Sequence, residues 1–315
     1  MKVGIALKDC HSQVPDDAVK LLTEQGYEVV FNETGRWLAG EELADFLSDL
    51  DAVVGGLELY NRETLSKADK LKIVARYGVG MDTMDLPYLK ERGIRVSTIV
   101  NHVEVAEFAV SLILAMLKNL PEYDRRIRSG KWGLYRARTL QQMTVGIIGF
   151  GKIGKGVADR LRPFGCRLLA QDPVASADAA AEHGAELVDL DTLLSQSDIV
   201  TVHCPTIPST YHLINRDAFA RMKDGAYLVN TSRGSVIDEA AFAEALKSGK
   251  LTGGAADVYE KEPLPEGSPL RQLSNIILTP HAAAQTEDAY YACGMICVKS
   301  IINVLNGLEP LYPVI

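Results

Sequence analysis

The sequence predicts an α/β protein made of two doubly wound parallel sheets, one domain inserted into the other. Three observations lead there. Residues 1–100 alternate strand-like and helix-like segments, the pattern of a parallel sheet covered by helices. Residues 144–173, TVGIIGFGKIGKGVADRLRPFGCRLLAQDP, begin a second run of the same alternation around a glycine-rich turn. The last long segment, Thr286–Leu305, has a helical pattern and follows the close of that second run, so it is expected to return to the first sheet. A chain of 315 residues is long enough for both cores. The expected division is 1–100 with 285–315 for the first domain and 101–284 for the second.

In the first domain, Val3–Ala6, Glu28–Phe31, Ala52–Val54, Lys72–Ala75 and Arg95–Ser97 read as strands. Between them, Asp16–Gln25, Glu41–Leu50 and Leu86–Arg92 carry helical spacing. Pro15 with Asp16 and Asp17 marks a helix start, and Gly26 marks its stop. The segment Val103–Leu120 is apolar nearly all round, so a helix there is expected to be buried on every side, with Pro121 ending it. It reads equally as an interdomain core helix or a subunit interface.

The second domain opens on Val145–Ile148, a β-branched run that reads as a buried strand. Gly149, Gly151 and Gly154 follow in the spacing G-x-G-x-x-G, then a helical segment Ile153–Arg162 and a second apolar run, Cys166–Ala170. The three glycines have distinct roles. Gly149 permits the tight turn, Gly151 lets a pyrophosphate approach the backbone, and Gly154 lets helix pack on sheet. The unpaired N–H groups at the helix start face the anion. Asp172 lies 18 residues beyond Gly154, where a carboxylate accepts hydrogen bonds from the adenosine ribose and repels a 2′-phosphate. The pattern therefore predicts a Rossmann/flavodoxin-like fold that binds NAD rather than NADP. Ile199–Val202, Ala226–Val229, Gly253–Asp257 and Asn275–Leu278 complete about six strands, with helical stretches such as Glu239–Ser248 between them.

Composition narrows the classes. The 33 basic and 41 acidic residues give a net charge of −8, which offers no footprint for nucleic acid or an anionic membrane. The longest greasy stretch, Phe108–Leu117, is too short to span a bilayer. The start, MKVGIALKDC, has no apolar core of useful length for a signal peptide. The five cysteines lack zinc-type spacing, and no metal is expected. These features lead to the expectation of a reduced, cytoplasmic, soluble protein.

Hydride transfer between NAD and a 2-hydroxy acid needs a cation, a proton exchanger and a group that tunes it, and three polar residues at strand ends are candidates for these parts. Arg233, in LVNTSRGSVID after the strand Ala226–Val229, offers a planar fork for a carboxylate and a polarising charge for a carbonyl. A surface arginine paired with Asp238 or Glu239 is the plain alternative. His281, in ILTPHAAAQ, has the proton affinity of an acid/base near neutral pH. Glu262, in DVYEKEPLP, is its natural partner, since a carboxylate beside an imidazole raises its pKa and fixes its tautomer.

With VGIIGFGKIG, NTSRGSVIDEAAFAEAL, AADVYEKEPLP and NIILTPHAAA in this order, the chain resembles the D-isomer-specific 2-hydroxyacid dehydrogenase family from about Ala52 to Pro310. RYGVGMDTMDL adds to the likeness, which is greatest to the D-3-phosphoglycerate dehydrogenase-like branch. The resemblance implies that Arg233 anchors the substrate carboxylate and carbonyl, that His281 is the acid/base and that Glu262 holds and tunes it. It implies that Asp257 faces the nicotinamide and that Lys152 and Ile153 contact the pyrophosphate. Cys204, Pro205, Thr231 and Ser232 would line the cofactor cleft, and Gly78, Val79 and Gly80 would give backbone N–H groups to the substrate carboxylate. The active site would lie between the domains, and the family's habit implies a homodimer formed through the cofactor domain, which favours an interface for Val103–Leu120.

The departures bear on the substrate. Phosphoglycerate-specific members often carry an arginine after the third strand. Here the sequence has Gly55-Gly56-Leu57-Glu58, and Glu58 is expected to repel a phosphate. Arg76 matches a basic substrate-binding position of that branch, and Arg62 lies nearby in sequence. Gln142-Met143 replace a common Gly-Lys, expected to be a loop detail, and no regulatory domain is expected after Ile315. The expected reaction is NAD-dependent oxidation of 3-phosphoglycerate or reduction of 3-phosphohydroxypyruvate, with hydroxypyruvate or glyoxylate as the alternative substrates. Formate is disfavoured, because its oxidation needs no proton exchange and leaves Glu262 without a role. An NAD-sensing interaction protein on the same scaffold is the rival of a different class.

Overall fold

In a computed structural model that describes residues 1–100 and 102–315, the chain separates into two compact units. One is Met1–Asn101 with Gln285–Ile315, the other His102–Ala284. Asn101, where the second domain was expected to begin, lies outside the described residues.

The first unit holds a parallel sheet of β1 (Lys2–Ile5), β2 (Glu28–Phe31), β3 (Ala52–Gly55), β4 (Ile73–Arg76) and β5 (Arg95–Ser97), ordered β2-β1-β3-β4-β5. β3 and β4 are buried from end to end, as apolar parallel strands covered on both faces must be. Their register pairs Gly55 with Arg76, so the loops leaving both strands start side by side. The helix Glu287–Leu305 returns to this sheet, as its pattern predicts. Thr286 caps it by accepting the Ala289 N–H, and Cys293, Cys297, Val298 and Ile301 enter a core with Val3, Ile5, Val54 and Ile73.

The second unit holds a parallel sheet of β6 (Thr144–Ile148), β7 (Arg167–Gln171), β8 (Ala185–Leu187), β9 (Ile199–Val202), β10 (Ala226–Asn230), β11 (Leu251–Ala256) and β12 (Ile276–Leu278). Its order is β12-β11-β10-β9-β6-β7-β8, seven strands rather than the expected six. The additional strand, β8, is only AEL after Gly184, too short to show an alternation of its own. The order reverses direction at β6, whose neighbours are β7 and β9, and a doubly wound sheet opens its ligand crevice at such a point.

The long apolar helix departs from expectation. It runs His102–Leu117 and stops because Asn119 takes a left-handed conformation at φ 53°. Pro121 does not end it but sits in the first turn of the next helix, Leu120–Arg128, where a missing N–H costs nothing. Nor is it buried on all sides. Ala106, Ala109, Ile113 and Leu117 enter the core, while Val103, Glu107 and Ser111 form an exposed stripe. Gly156 on the helix Lys152–Leu161 faces Ala106, whose methyl a Cβ at Gly156 would meet at 3.1 Å. Among the described residues no helix is long and apolar enough to cross a membrane, and no cluster of His, Cys, Asp and Glu is suited to hold a metal.

Candidate active site

The glycine turn follows β6 directly. Gly149 has φ 86°, and a Cβ there would come within 2.6 Å of the Cys204 backbone nitrogen, so both conformation and space require glycine. Gly154 packs so closely under the turn that a Cβ would overlap the Gly149 carbonyl. Gly151, by contrast, faces open space at the N-terminus of the helix Lys152–Leu161. Close packing at the first and third glycines and room at the second make a cradle suited to a pyrophosphate against the N–H groups of Lys152 and Ile153.

Asp172 stands at the tip of β7. One oxygen accepts the Phe150 N–H at 2.8 Å and the other the N–H groups of Val174 and Ala175, which ties the acid to the glycine turn. Oδ2, which accepts a single N–H, keeps a further lone pair for a ribose hydroxyl. Cys204 is buried against the turn, and burial pushes its thiol up to about 11, so it is neutral at physiological pH. Pro205 beside it is exposed. The residues of the turn and of the β7 tip fit a dinucleotide.

β10 delivers Arg233 through a turn that Asn230 builds. The buried Asn230 amide accepts the Ser232 N–H and hydroxyl at 3.0 and 2.8 Å and donates to the Arg233 carbonyl at 2.9 Å. Asp238 caps the helix Glu239–Lys247 through the Ala241 N–H, and Glu239 accepts from Ser268 and the Glu260 N–H. Thr231 lies 3.4 Å from the His203 imidazole, which also meets the Thr201 hydroxyl at 2.9 Å. Burial lowers His203 to about 3 and keeps it neutral. Neither Asn230 nor His203 is among the residues that the sequence patterns single out. The Asn at a strand end before a Thr-Ser turn was the available signal for the first, and nothing short of the packing marks the second.

His281 follows β12 and is held in a left-handed conformation at φ 57°. Its N–H donates to the Asp257 carbonyl at 2.8 Å. The Asp257 carboxylate, fully buried, accepts from the Thr279 hydroxyl at 2.6 Å, the Ala282 N–H at 2.7 Å and the Ala283 N–H at 2.9 Å. Asp257 thus clamps the loop that presents the imidazole. The loop contacts add a positioning role to the nicotinamide-facing one that the resemblance implies.

The His281 Nδ1 lies 2.7 Å from Glu262 Oε2, and Glu262 Oε1 accepts the Tyr259 N–H at 3.1 Å. The Glu262 hydrogen bond raises the His281 pKa; burial opposes it, the charges of Glu262 and Asp257 add to it, and Arg233 subtracts. Burial alone would raise Glu262, but its bond to His281, the Tyr259 N–H and the Arg233 charge together hold it below its ordinary value. The carboxylate binds Nδ1–H, which leaves Nε2 to meet a substrate oxygen. Arg233, Glu262 and His281, distant in sequence, are one electrostatic group.

The first unit carries the glycine loop Tyr77–Gly80 after β4. The Gly78 carbonyl accepts from Thr98 Oγ1 at 2.9 Å and the Gly80 carbonyl from Arg76 Nε at 3.0 Å. Among the described residues no hydrogen bond takes the N–H groups of Gly78, Val79 or Gly80. Arg76 does not reach outward as a substrate-binding cation should. It is buried beneath the loop at 5% exposure, where it also donates to the Gly56 carbonyl. Glu58 is equally inward, at 2% exposure, with Oε2 accepting the Gly56 N–H at 2.5 Å. Burial raises its pKa to about 7 against the opposing pull of the Gly56 N–H, Arg76 and Tyr60. The expected direct repulsion of a phosphate by an exposed Glu58 is therefore replaced by a buried pair.

A parallel sheet with a glycine turn at its reversal, an acid at the next strand tip and a carboxylate-bound imidazole beside a guanidinium define a dinucleotide-binding domain that carries a candidate acid/base centre. Residues 110–283 match the family model for the D-isomer specific 2-hydroxyacid dehydrogenase, NAD binding domain, and the chain belongs to that family. It is 38% identical to a D-3-phosphoglycerate dehydrogenase of Archaeoglobus fulgidus over 98% of this chain, spanning only 58% of that protein. It is 37% identical to a glyoxylate reductase of Thermofilum pendens over 94% of this chain and 91% of that one. The TT0316 protein of Thermus thermophilus has the same fold, with a TM-score of 0.91 and 32% identity over the full length of both chains.

Proposed function

We propose that the chain catalyses reversible hydride transfer between NAD and a D-2-hydroxy acid, interconverting it with the 2-keto acid. The observation that carries this reading is the 2.7 Å contact of His281 Nδ1 with Glu262, beside Arg233. The dinucleotide, when bound, would supply the hydride in reduction as NADH and accept it in oxidation as NAD+. Arg233 pairs with the substrate carboxylate and polarises the keto oxygen, and the N–H groups of Gly78, Val79 and Gly80 receive the carboxylate. In reduction, protonated His281 donates its Nε2 proton to the keto oxygen as the carbon gains hydride, giving the hydroxyl. In oxidation neutral His281 takes that proton back, and Glu262 stabilises the imidazolium formed.

The sign of the pH dependence follows. Reduction needs protonated His281, so its kcat/KM falls as pH rises through the histidine's raised pKa; oxidation rises through the same value. Glu262→Gln removes the group that raises it. NADH consumption with a panel of 2-keto acids, followed across pH, is expected to show reduction in the wild type. In Glu262→Gln the alkaline limb should move to lower pH, with a loss on the order of 10²-fold in kcat/KM at pH 8. An unmoved limb would remove Glu262 from its assigned role, and no NADH consumption with any 2-keto acid would remove the reading.

We also infer a homodimer formed through the second unit, in a reducing cytoplasm. Leu120, Ile127, Trp132 and Leu134 are exposed there, the last two at 86% and 89%, and apolar side chains so bare within one short segment mark a contact surface. Changing Trp132 and Leu134 together to alanine is expected to convert a dimer to monomer in sedimentation velocity. A wild type that sediments as a monomer would refute the inference.

A further inference from the structure

Arg62 and Arg76, the first two arginines after β3 in sequence, are engaged inside the first unit. Arg76 donates through Nε to Gly80 O at 3.0 Å and through an Nη to Gly56 O, and it is buried. A Cβ on Gly78 would meet its guanidinium carbon at 3.3 Å, so the group lies directly beneath the loop assigned to the substrate carboxylate. Arg62 pairs with Glu91 at 2.8 Å and stacks on Tyr88, its guanidinium carbon 4.3 Å from the ring centre. The turn itself has no room for a basic side chain at Gly56, where a Cβ would overlap the Trp37 ring.

Glu58 completes the arrangement. Its Oε2 binds the Gly56 N–H while Arg76 binds the Gly56 carbonyl, so acid and base grip the two sides of one residue. Glu58 Oε1 is buried with no hydrogen-bond partner. A buried acid with an unsatisfied oxygen is costly, and it persists where it offsets a neighbouring charge or shapes a loop.

We propose that Glu58 and Arg76 form a specificity-determining strut that sets the glycine loop and selects a 2-keto acid with no second anionic group. The inference rests on the dehydrogenase reading above. A phosphate brought to this loop would find Arg76 directed at backbone carbonyls and partly offset by Glu58, and Arg62 engaged by Glu91. It would lose its hydration without gaining an unengaged cation in exchange. A substrate with only one carboxylate needs no more than the loop N–H groups and Arg233. Phosphohydroxypyruvate, first among the substrates the sequence suggested, becomes the poorer one.

The test compares kcat/KM for NADH-dependent reduction of hydroxypyruvate, glyoxylate and 3-phosphohydroxypyruvate by the wild type and Glu58→Gln. Glutamine keeps the shape and the acceptor for Gly56 N–H but removes the charge. The wild type should favour hydroxypyruvate over its phosphorylated form by roughly 10-fold or more, and Glu58→Gln should narrow that ratio, chiefly through KM for the phosphorylated acid. Wild-type preference for 3-phosphohydroxypyruvate overturns the proposal even if the variant does not fold. A ratio unchanged in a folded Glu58→Gln removes Glu58 as its cause. Turnover of none of the three acids strikes the dehydrogenase reading itself, a different result from either of these.

Discussion

Arg233→Ala is expected to lower kcat/KM for 2-keto acid reduction by on the order of 10³-fold or more while the protein still binds NADH. The side chain has two proposed roles on one substrate. It pairs with the carboxylate, and its charge lies where the keto oxygen becomes negative. The first role acts in ground and transition states alike and raises KM when lost. The second acts most in the transition state and lowers kcat. Both parameters should therefore suffer. Lysine should recover only part of the loss, because an ammonium supplies charge without the planar fork. Arg233 also depresses the pKa of His281 and of Glu262 through its charge. Its removal should thus raise His281 further and carry the alkaline limb of the residual reduction to higher pH, opposite to Glu262→Gln. Steady-state kinetics across pH, with NADH binding followed by fluorescence, checks all of this at once. An NAD-sensing protein without catalysis would show no turnover to lose, and it should keep its partner interaction in Arg233→Ala.

How far the sequence revealed this site depended on how local each signal was. G-x-G-x-x-G, the strand before it and Asp172 beyond it are neighbours in the chain, so the dinucleotide fold and the use of NAD were legible from spacing alone. Arg233, His281 and Glu262 were legible as residue types at strand ends, but their mutual arrangement comes from the parallel order of β10, β11 and β12, which no local pattern encodes. The part of Asp257 in holding the His281 loop was not legible, because its sequence neighbours could not show that the N–H groups of Ala282 and Ala283 meet it. Arg76 and Glu58 misled, being buried at 5% and 2% exposure where their sequence position suggested exposure. A charged residue at a strand end is read as facing solvent, and only the close fit around Gly56 turns both inward. The long apolar helix failed differently. Hydrophobicity predicted burial all round and a proline stop, whereas the left-handed Asn119 ends it first.

Gly234→Ala is expected to abolish measurable turnover although residue 234 contributes no functional group. A Cβ at this position would overlap the carbonyl of Tyr259 and crowd the Glu260 nitrogen, both backbone atoms that no side-chain rotation can move aside. Two chain segments meet here: the turn Asn230–Gly234, which carries Arg233, and the stretch 259–262, which carries Glu262. Nearby, Glu239 N–H donates to Glu260 Oε1 at 2.9 Å and Glu260 N–H to Glu239 Oε2 at 3.3 Å, a reciprocal tie between the stretch 259–262 and the start of the helix that follows the turn. Adding one methyl must therefore push the segments apart, and each shift alters the separation of Arg233 from the Glu262–His281 pair. A misplacement near 1 Å in such a constellation is worth roughly 10²-fold in rate, and here both a charge and a proton donor move relative to the substrate. The glycine turn at 149–154 is a separate part of the second unit, so NADH binding should survive where turnover does not. Wild-type turnover in Gly234→Ala would mean that the two segments can part without disturbing the chemistry, and the close approach at Gly234 would then have no part in holding Arg233 against its partners.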